Sequence, residues 1–433
     1  MCVTISLQKY TCTFFEKLSN GKDKTTLKCK NRQLIDDFYV NSVSELTFFV
    51  LLQPTNYAVM LVRTIQKGIE NQLVPNKVVL IFGARRVGKT VLLRQVLDNF
   101  TGRTLLLNGE DYDARVLLEE KSIANYRRLL ANIDLLAIDE AQAVPAIGEK
   151  LKLMVDEVPG IRILATGSSA FDIRNQVGEP LVGRGTPFQL LPFSQQEISQ
   201  QENLLQTRRS LENRLIYGCY PDVVLNDDRV ANVEYLKNIV SAYLLKDILS
   251  LDGIKNSGKM MELLQLVAFQ VGSELSYDEL ANKLGISKNT VQRYMDLLSK
   301  VYVIFRIGGY ARNLRKEVSK AGKWYFYDNG IRNAVIGRFQ PLALRDDVGA
   351  LWENYFISER VKQNLHGRFN RNLFFWKTYD RQEIDLIEEG TDRLTAFEIK
   401  WSEERVKPPV AFANAYPEAA FHVVNRKNYL DFI

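Results

Sequence analysis

Eight consecutive residues, Gly83-Ala84-Arg85-Arg86-Val87-Gly88-Lys89-Thr90, follow the spacing G-x-x-x-x-G-K-[ST]. Glycines at the first and sixth positions let backbone N–H groups curl around phosphate oxygens, the lysine reaches the β- and γ-phosphates, and the threonine hydroxyl ligates Mg²⁺. The stretch lies between an apolar run, Val78 to Phe82, and a helical pattern carrying Leu92, Leu93, Val96, Leu97 and Phe100. A phosphate held there would sit on a helix N-terminus and gain from its positive potential. ATP and Mg²⁺ are the expected cofactors. A second apolar run, Leu135 to Ile138, ends in Asp139 and Glu140; after such a loop, Asp139 can hold Mg²⁺ through water and Glu140 can polarise an attacking water. Adjacent carboxylates favour hydrolysis over passive nucleotide binding.

Two further features bear on the same chemistry. Ile161 to Ala165 leads into Thr166-Gly167-Ser168-Ser169, whose hydroxyls, Thr166 and Ser168 among them, can sense a γ-phosphate or position water, or form a plain polar turn. Arg184, in Leu181-Val182-Gly183-Arg184-Gly185, is a candidate arginine finger, in cis or from a neighbouring subunit of a homo-oligomer. An ordinary surface arginine reads equally well.

Near the C-terminus, Glu353 lies on a helical pattern, Asp385 on the strand Glu383 to Ile387, and Glu398 and Lys400 on the strand Ala396 to Trp401. Alternate residues of a strand share a face. Asp385 and Glu398 on neighbouring strands could therefore converge on Mg²⁺, with Lys400 orienting a hydroxide toward a phosphodiester and Glu353 as a supporting acid. The competing reading leaves Glu398 and Lys400 as solvated neighbours while Phe397, Ile399 and Trp401 face inward.

Between these sites, Ser276 caps a short helical pattern to Leu284, Gly285-Ile286 turns, and Ser287 caps a second helix. The second helix buries Val291, Tyr294 and Leu298 and exposes Lys288, Asn289, Gln292 and Arg293, side chains suited to phosphates and base edges. Tyr302 to Ile307 and Lys323 to Tyr327 are expected strands, with Arg312, Arg315, Lys316 and Lys320 between them as a basic wing. Double-stranded DNA is the partner this suggests; packing domains together is the plainer role.

The elements that must position these groups follow from periodicity. Strands Val78 to Phe82, Thr104 to Leu107, Leu135 to Ile138, Ile161 to Ala165 and Pro187 to Leu190 alternate with helical patterns, which indicates a mostly parallel, helix-covered sheet. The expected class is α/β: a P-loop parallel sheet over 60–193, a helical lid over 194–259, a winged helix over 260–335 and a separate α/β domain over 336–433. Residues 1–59 show no sustained period, although Leu46 to Leu52 fits a short strand. Met60 is read as the natural start, which N-terminal sequencing of the native protein would check.

Bulk properties narrow the function. Hydrophobic residues make up 46% and charged residues 25%, so a folded chain is expected. No apolar run reaches the ~18 residues that cross a bilayer, and Met1 to Thr4 lacks secretory features, so a cytoplasmic protein is expected. Four scattered cysteines and two histidines are too few for a zinc site. The net charge of +6 permits an acidic partner without requiring one.

Taken with Ile138-Asp139-Glu140-Ala141-Gln142, Thr166-Gly167-Ser168-Ser169, Tyr217-Gly218-Cys219-Tyr220-Pro221-Asp222 and Tyr243-Leu244-Leu245-Lys246-Asp247-Ile248, the phosphate loop gives a chain that resembles prokaryotic AAA-type ATPases carrying a C-terminal domain of unknown function with a restriction-endonuclease-like fold. The resemblance runs from about residue 60 to the C-terminus. Val91 stands where that family usually has threonine and Cys219 where it usually has glycine. Two functions are consistent with it: an ATPase that controls a metal-dependent nuclease, or an ATP-driven switch whose C-terminal domains bind nucleic acid or protein without cutting.

Overall fold

A computed structural model describes residues 2–7, 10–15, 26–28, 61–167, 181–244, 256–310, 322–378, 380, 382–403 and 405–433. Residues 1–59 form one compact unit and residues 60–433 a second. In the first, β1 (Cys2–Leu7), β2 (Tyr10–Phe15) and β3 (Thr26–Lys28) make an antiparallel sheet in that order. No sustained period in the sequence marks these strands. Val3, Ile5 and Leu7 alternate with Thr4 and Ser6, but over a run too short to stand out from its neighbours. The strand expected at Leu46 to Leu52 lies outside the described residues.

In the second unit, α1 (Gln66–Gln72) precedes five strands, β4 (Lys77–Phe82), β5 (Thr104–Asn108), β6 (Leu135–Asp139), β7 (Arg162–Gly167) and β8 (Gly185–Gln189). They pair in parallel in the order β5-β6-β7-β4-β8. The central strands are unbroken apolar runs because helices cover both faces; Val78, Val79, Ile81, Leu135, Leu136 and Ile163 have no solvent exposure. The helices between them are α2 (Lys89–Asn99), α3 (Tyr112–Glu119), α4 (Ile123–Leu129) and α5 (Ile147–Glu157). All five carboxyl ends lie on one edge, and that edge carries the phosphate loop.

Four helices follow: α6 (Gln195–Ile198), α7 (Leu204–Tyr217), α8 (Pro221–Val224) and α9 (Arg229–Asn238). Ser194 with Glu197, and Asn203 with Gln206, close reciprocal capping boxes that fix where the first two begin. Then come α10 (Ser257–Phe269), α11 (Tyr277–Leu284) and α12 (Lys288–Lys300), with Ser276 and Ser287 capping as expected and Gly285, at φ 64°, ending α11. A hairpin of β9 (Ile304–Gly309) and β10 (Lys323–Phe326) leads to α13 (Asn329–Ile336) and the long α14 (Val348–Gly367). The chain ends as β11 (Asn372–Lys377), β12 (Glu383–Glu389), β13 (Leu394–Ile399), α15 (Val410–Ala415) and β14 (Ala420–Val424).

The hairpin is not confined to the helices before it. β9 pairs in parallel with β11, giving one six-stranded sheet, β10-β9-β11-β12-β13-β14. The hairpin expected within 260–335 thus shares a sheet with strands expected within 336–433. A buried polar seam ties α14 to the ATPase side: Glu359 accepts from the Gln195 backbone N–H at 2.6 Å and pairs with Lys362 at 2.7 Å, while Lys362 Nζ donates to the Phe193 carbonyl at 3.0 Å. Buried ions of this kind are held only when each is paired and hydrogen-bonded.

Candidate functional site

Gly83 follows directly on β4, and a Cβ there would lie 2.1 Å from the Leu190 carbonyl oxygen, so no side chain fits. The loop turns through left-handed conformations at Arg86 (φ 66°) and Gly88 (φ 95°) and delivers Lys89 as the first residue of α2. Lys89 is buried, and its ammonium donates to the carbonyls of Gly83 and Ala84 at 3.0 Å each. Two backbone oxygens thus hold the charge over the loop that phosphates would enter. Arg85, Arg86, Lys89, Glu110, Glu140 and Asp222 help line the adjoining cleft of about 400 Å³, within the range of ligand-sized pockets. Val87 is fully buried and serves packing.

A hydrogen-bond chain crosses three elements. Thr90 Oγ1 donates to Asp139 Oδ2 at 2.8 Å, Thr166 Oγ1 donates to Asp139 Oδ1, and the Glu140 N–H donates to Thr166 Oγ1 at 3.1 Å. The parallel register that sets Leu135 against Arg162 and Ile138 against Ala165 puts Asp139 and Thr166 side by side. Glu140 itself adopts φ 50°, a conformation uncommon for a residue with a Cβ, and its carboxylate accepts from Gln142 Nε2. The donor set suits Mg²⁺, which commonly takes one or two protein oxygens and fills its other positions with water and substrate phosphates. Thr90 and Asp139 would supply those oxygens. Ser168 lies outside the described residues.

Arg184 is elsewhere. It immediately precedes β8, its carbonyl accepts from the Val78 N–H at 3.0 Å, and its Nε pairs with Asp156 at 2.6 Å. Because β8 runs parallel to β4, Arg184 sits at the amino edge of the sheet, about five residues or ~15 Å from the loop at the carboxyl edge. The in-cis finger reading is corrected on this ground. Sequence reasoning assigned no site role to Glu110, which reaches the cleft from the loop after β5, or to Asp222, which reaches it from α8.

The C-terminal residues do share a neighbourhood. Register extrapolated one pair beyond Leu386 and Phe397 sets Asp385 opposite Glu398. Burial, reinforced by Asp385, raises the Glu353 carboxyl to about 7 against the pull of Lys323. Burial and then Asp385 likewise raise Glu398, while Lys400 opposes. Two cations lie among these carboxylates, which still outnumber them. Lys400 pairs with Glu398 at 2.7 Å, and Lys323, buried on β10, lies 2.5 Å from Glu383 and 3.7 Å from Glu353. Burial alone would lower the Lys323 ammonium, but Glu353 and Glu383 carry it above its ordinary value. Tyr325, two residues along the same strand, donates to Glu353 at 2.7 Å.

Asp385 and Glu398 were expected to ligate Mg²⁺. The Asp385 carboxylate accepts from the Ile399 N–H at 2.7 Å. Lys323, delivered by the hairpin, is an added cation beside them that no pattern around Glu398-x-Lys400 could disclose. β13 also stops at Ile399, so Lys400 lies just past the strand. Lys323→Met is expected to lower unfolding free energy by about 3 kcal/mol, the scale for breaking a buried pair, in a denaturant titration. An unmoved midpoint would show that the ammonium does not hold these carboxylates together.

On α12, Lys288, Asn289, Gln292 and Arg293 are exposed as expected, although Lys288 pairs with Asp278 at 2.8 Å. The wing residues Arg312, Arg315, Lys316 and Lys320 lie outside the described residues. Among those described, no helix is long and apolar enough to cross a membrane.

Comparison with known proteins agrees with the first site. Residues 75–199 match the model of a family described as an AAA domain, and residues 208–342 and 348–430 match two models described as domains of unknown function. The chain thus contains an AAA-type P-loop domain. An uncharacterized protein of Mycobacterium tuberculosis is 27% identical over 328 residues, covering 75% of this chain and 70% of the relative. Another, from Methanocaldococcus jannaschii, is 25% identical over 350 residues, covering 76% of each. Among solved structures, the Thermotoga maritima RuvB Holliday junction branch migration motor aligns over 56% of this chain and 86% of its own, at 18% identity and a TM-score of 0.27.

Proposed function

We propose that the chain binds and hydrolyses ATP with Mg²⁺ at Gly83 to Thr90, and that turnover switches C-terminal domains that act at DNA without cutting it. The observation that carries the first part is the bonded chain from Thr90 through Asp139 and Thr166 to Glu140, lying beside Lys89. Thr90 and Asp139 are the residues that would hold Mg²⁺, which neutralises charge on the β- and γ-phosphates. Lys89 exchanges its two carbonyl partners for those phosphates. Glu140 takes the proton of the attacking water, and Thr166 fixes the backbone from which Glu140 projects. Arg184, facing away from its own loop, is assigned to the γ-phosphate of a neighbouring subunit.

Lys89→Ala is expected to reduce turnover by about 10² to 10³, the usual loss when one electrostatic donor to a reacting group is removed, with the melting profile unchanged. Normal turnover would sink the phosphate-site assignment.

We read α10 to α12 with the β9–β10 hairpin as a winged helix, supported by the two capped helices, the hairpin and the polar face of α12. The order α14, β11, β12, β13, α15, β14 supports a restriction-endonuclease-like reading of the last domain. The choice of the non-cleaving switch over the nuclease rests on Lys323, whose buried ammonium reaches Glu353 and Glu383 beside the Asp385–Glu398 pair. Plasmid incubated with the protein and Mg²⁺, with and without ATP, is expected to remain supercoiled; nicked or linear product would reverse that choice.

A further inference from the structure

A second charged surface lies apart from the nucleotide cleft. Arg208 and Arg209 on α7 face Arg426 and Lys427 across a groove of about 580 Å³, with Trp401 as part of its wall. Four of the lining residues are cationic and one, Glu212, is acidic. Glu212 is engaged by the Leu342 N–H at 3.2 Å, and Lys427 pairs with Glu403. No described ion pair involves Arg208, Arg209 or Arg426, and all three are exposed. Like charges facing one another across a groove repel unless an anion lies between them.

The shape and chemistry select the anion. A groove of this size exceeds what a lone ion fills and falls within the range that takes a nucleotide-sized ligand. Arg426 lies over the Trp401 ring at 5.5 Å, and Trp401 is steadied from behind by Trp352 in an edge-on contact at 5.7 Å. A guanidinium stacked on an indole offers a flat cationic platform. Bases use such platforms when they are unpaired, while arginine forks match phosphate oxygens. An acidic peptide would use the charge and leave the ring idle.

We propose that this groove binds single-stranded nucleic acid, with phosphates on Arg208, Arg209 and Lys427 and a base against the Arg426–Trp401 stack. The inference rests on the reading that the protein works at DNA and names a strand state and a surface for it. Trp401 directly follows Lys400, so the strand would pass the end of β13. The α12 face and this groove would then meet duplex and unpaired DNA separately.

The test uses the full chain, fluorescein-labelled oligothymidylate and a labelled duplex, read by anisotropy across a salt series. The double change Arg208→Glu with Arg209→Glu should weaken oligothymidylate binding by at least about tenfold and reduce the salt slope by roughly 1.4, two phosphate contacts at ~0.7 each. Trp401→Leu should weaken it by roughly 5- to 150-fold, the range for losing one stacked base, with little change in slope. DNA-free ATP turnover of the arginine variant should be unchanged, which also reports that it folds. Unaltered oligothymidylate binding in both variants overturns the proposal, as does an equal loss on duplex, or a change in sedimentation state that makes the face a contact between copies. If the wild-type chain binds duplex but not oligothymidylate, the groove assignment fails while the DNA reading stands; if it binds neither, both fail.

Discussion

Replacing Arg184 with alanine is expected to slow ATP turnover by roughly 10³ to 10⁵ while leaving nucleotide affinity unchanged, the range for loss of an arginine finger. The position of the residue makes this a statement about assembly. Arg184 lies at the amino edge of the parallel sheet, beside Val78, whereas its own phosphate loop starts after Phe82 at the carboxyl edge. As a finger it could serve only another subunit, and to do so it would have to leave Asp156. A mixture of Arg184→Ala with Lys89→Ala should therefore recover part of the turnover that each lacks alone, because each supplies the group missing from the other. A marginal loss, with no recovery on mixing, would reduce Arg184 to a half-exposed ion pair worth at most about 1 kcal/mol.

Glu140→Gln should lower turnover by roughly 10² to 10⁴, the usual contribution of a positioned general base, and leave ATP bound. The amide keeps the size of the side chain and the left-handed backbone, and the Glu140 N–H bond to Thr166 is untouched. What it loses is the ability to accept a proton. Single-turnover hydrolysis beside equilibrium binding of a fluorescent nucleotide separates the two effects. Normal hydrolysis by the variant would mean that another group activates the water.

The nucleotide site was legible because its parts are local. Gly83 to Thr90 is one contiguous loop, Asp139 and Glu140 end one apolar strand, and the parallel register brings that strand beside Thr166. The C-terminal cluster was legible only in half. Glu353, Asp385, Glu398 and Lys400 could be read from strand and helix patterns, but the buried cation among them, Lys323, comes from a hairpin sixty-odd residues earlier in the chain than Asp385, joined to the sheet by the β9–β11 pairing. Local patterns say nothing about which distant strand becomes a sheet neighbour. The same limit hid the packing that merges 60–433, since the Glu359–Lys362 seam is made by backbone groups at Phe193 and Gln195 with no signature of their own.

The segment Tyr217 to Asp222 meets the start of α13 at very close quarters. Gly218 has φ 75°, and a Cβ on it would fall 2.0 Å from Asp328 Oδ1; a Cβ on Gly330 would fall 2.1 Å from the Tyr217 carbonyl oxygen. Asp328 in turn accepts from the Cys219 N–H at 2.7 Å and caps α13 through Ile331. Each stretch has shed side-chain atoms to admit the backbone of the other. A side chain at either glycine would therefore have to push the two backbones apart, and the Asp328 cap and the Cys219 hydrogen bond would be disturbed together. Pro221 and Asp222, a few bonds further on, line the cleft beside the phosphate loop, so a displacement at this junction would reach the cleft through the same short stretch of backbone.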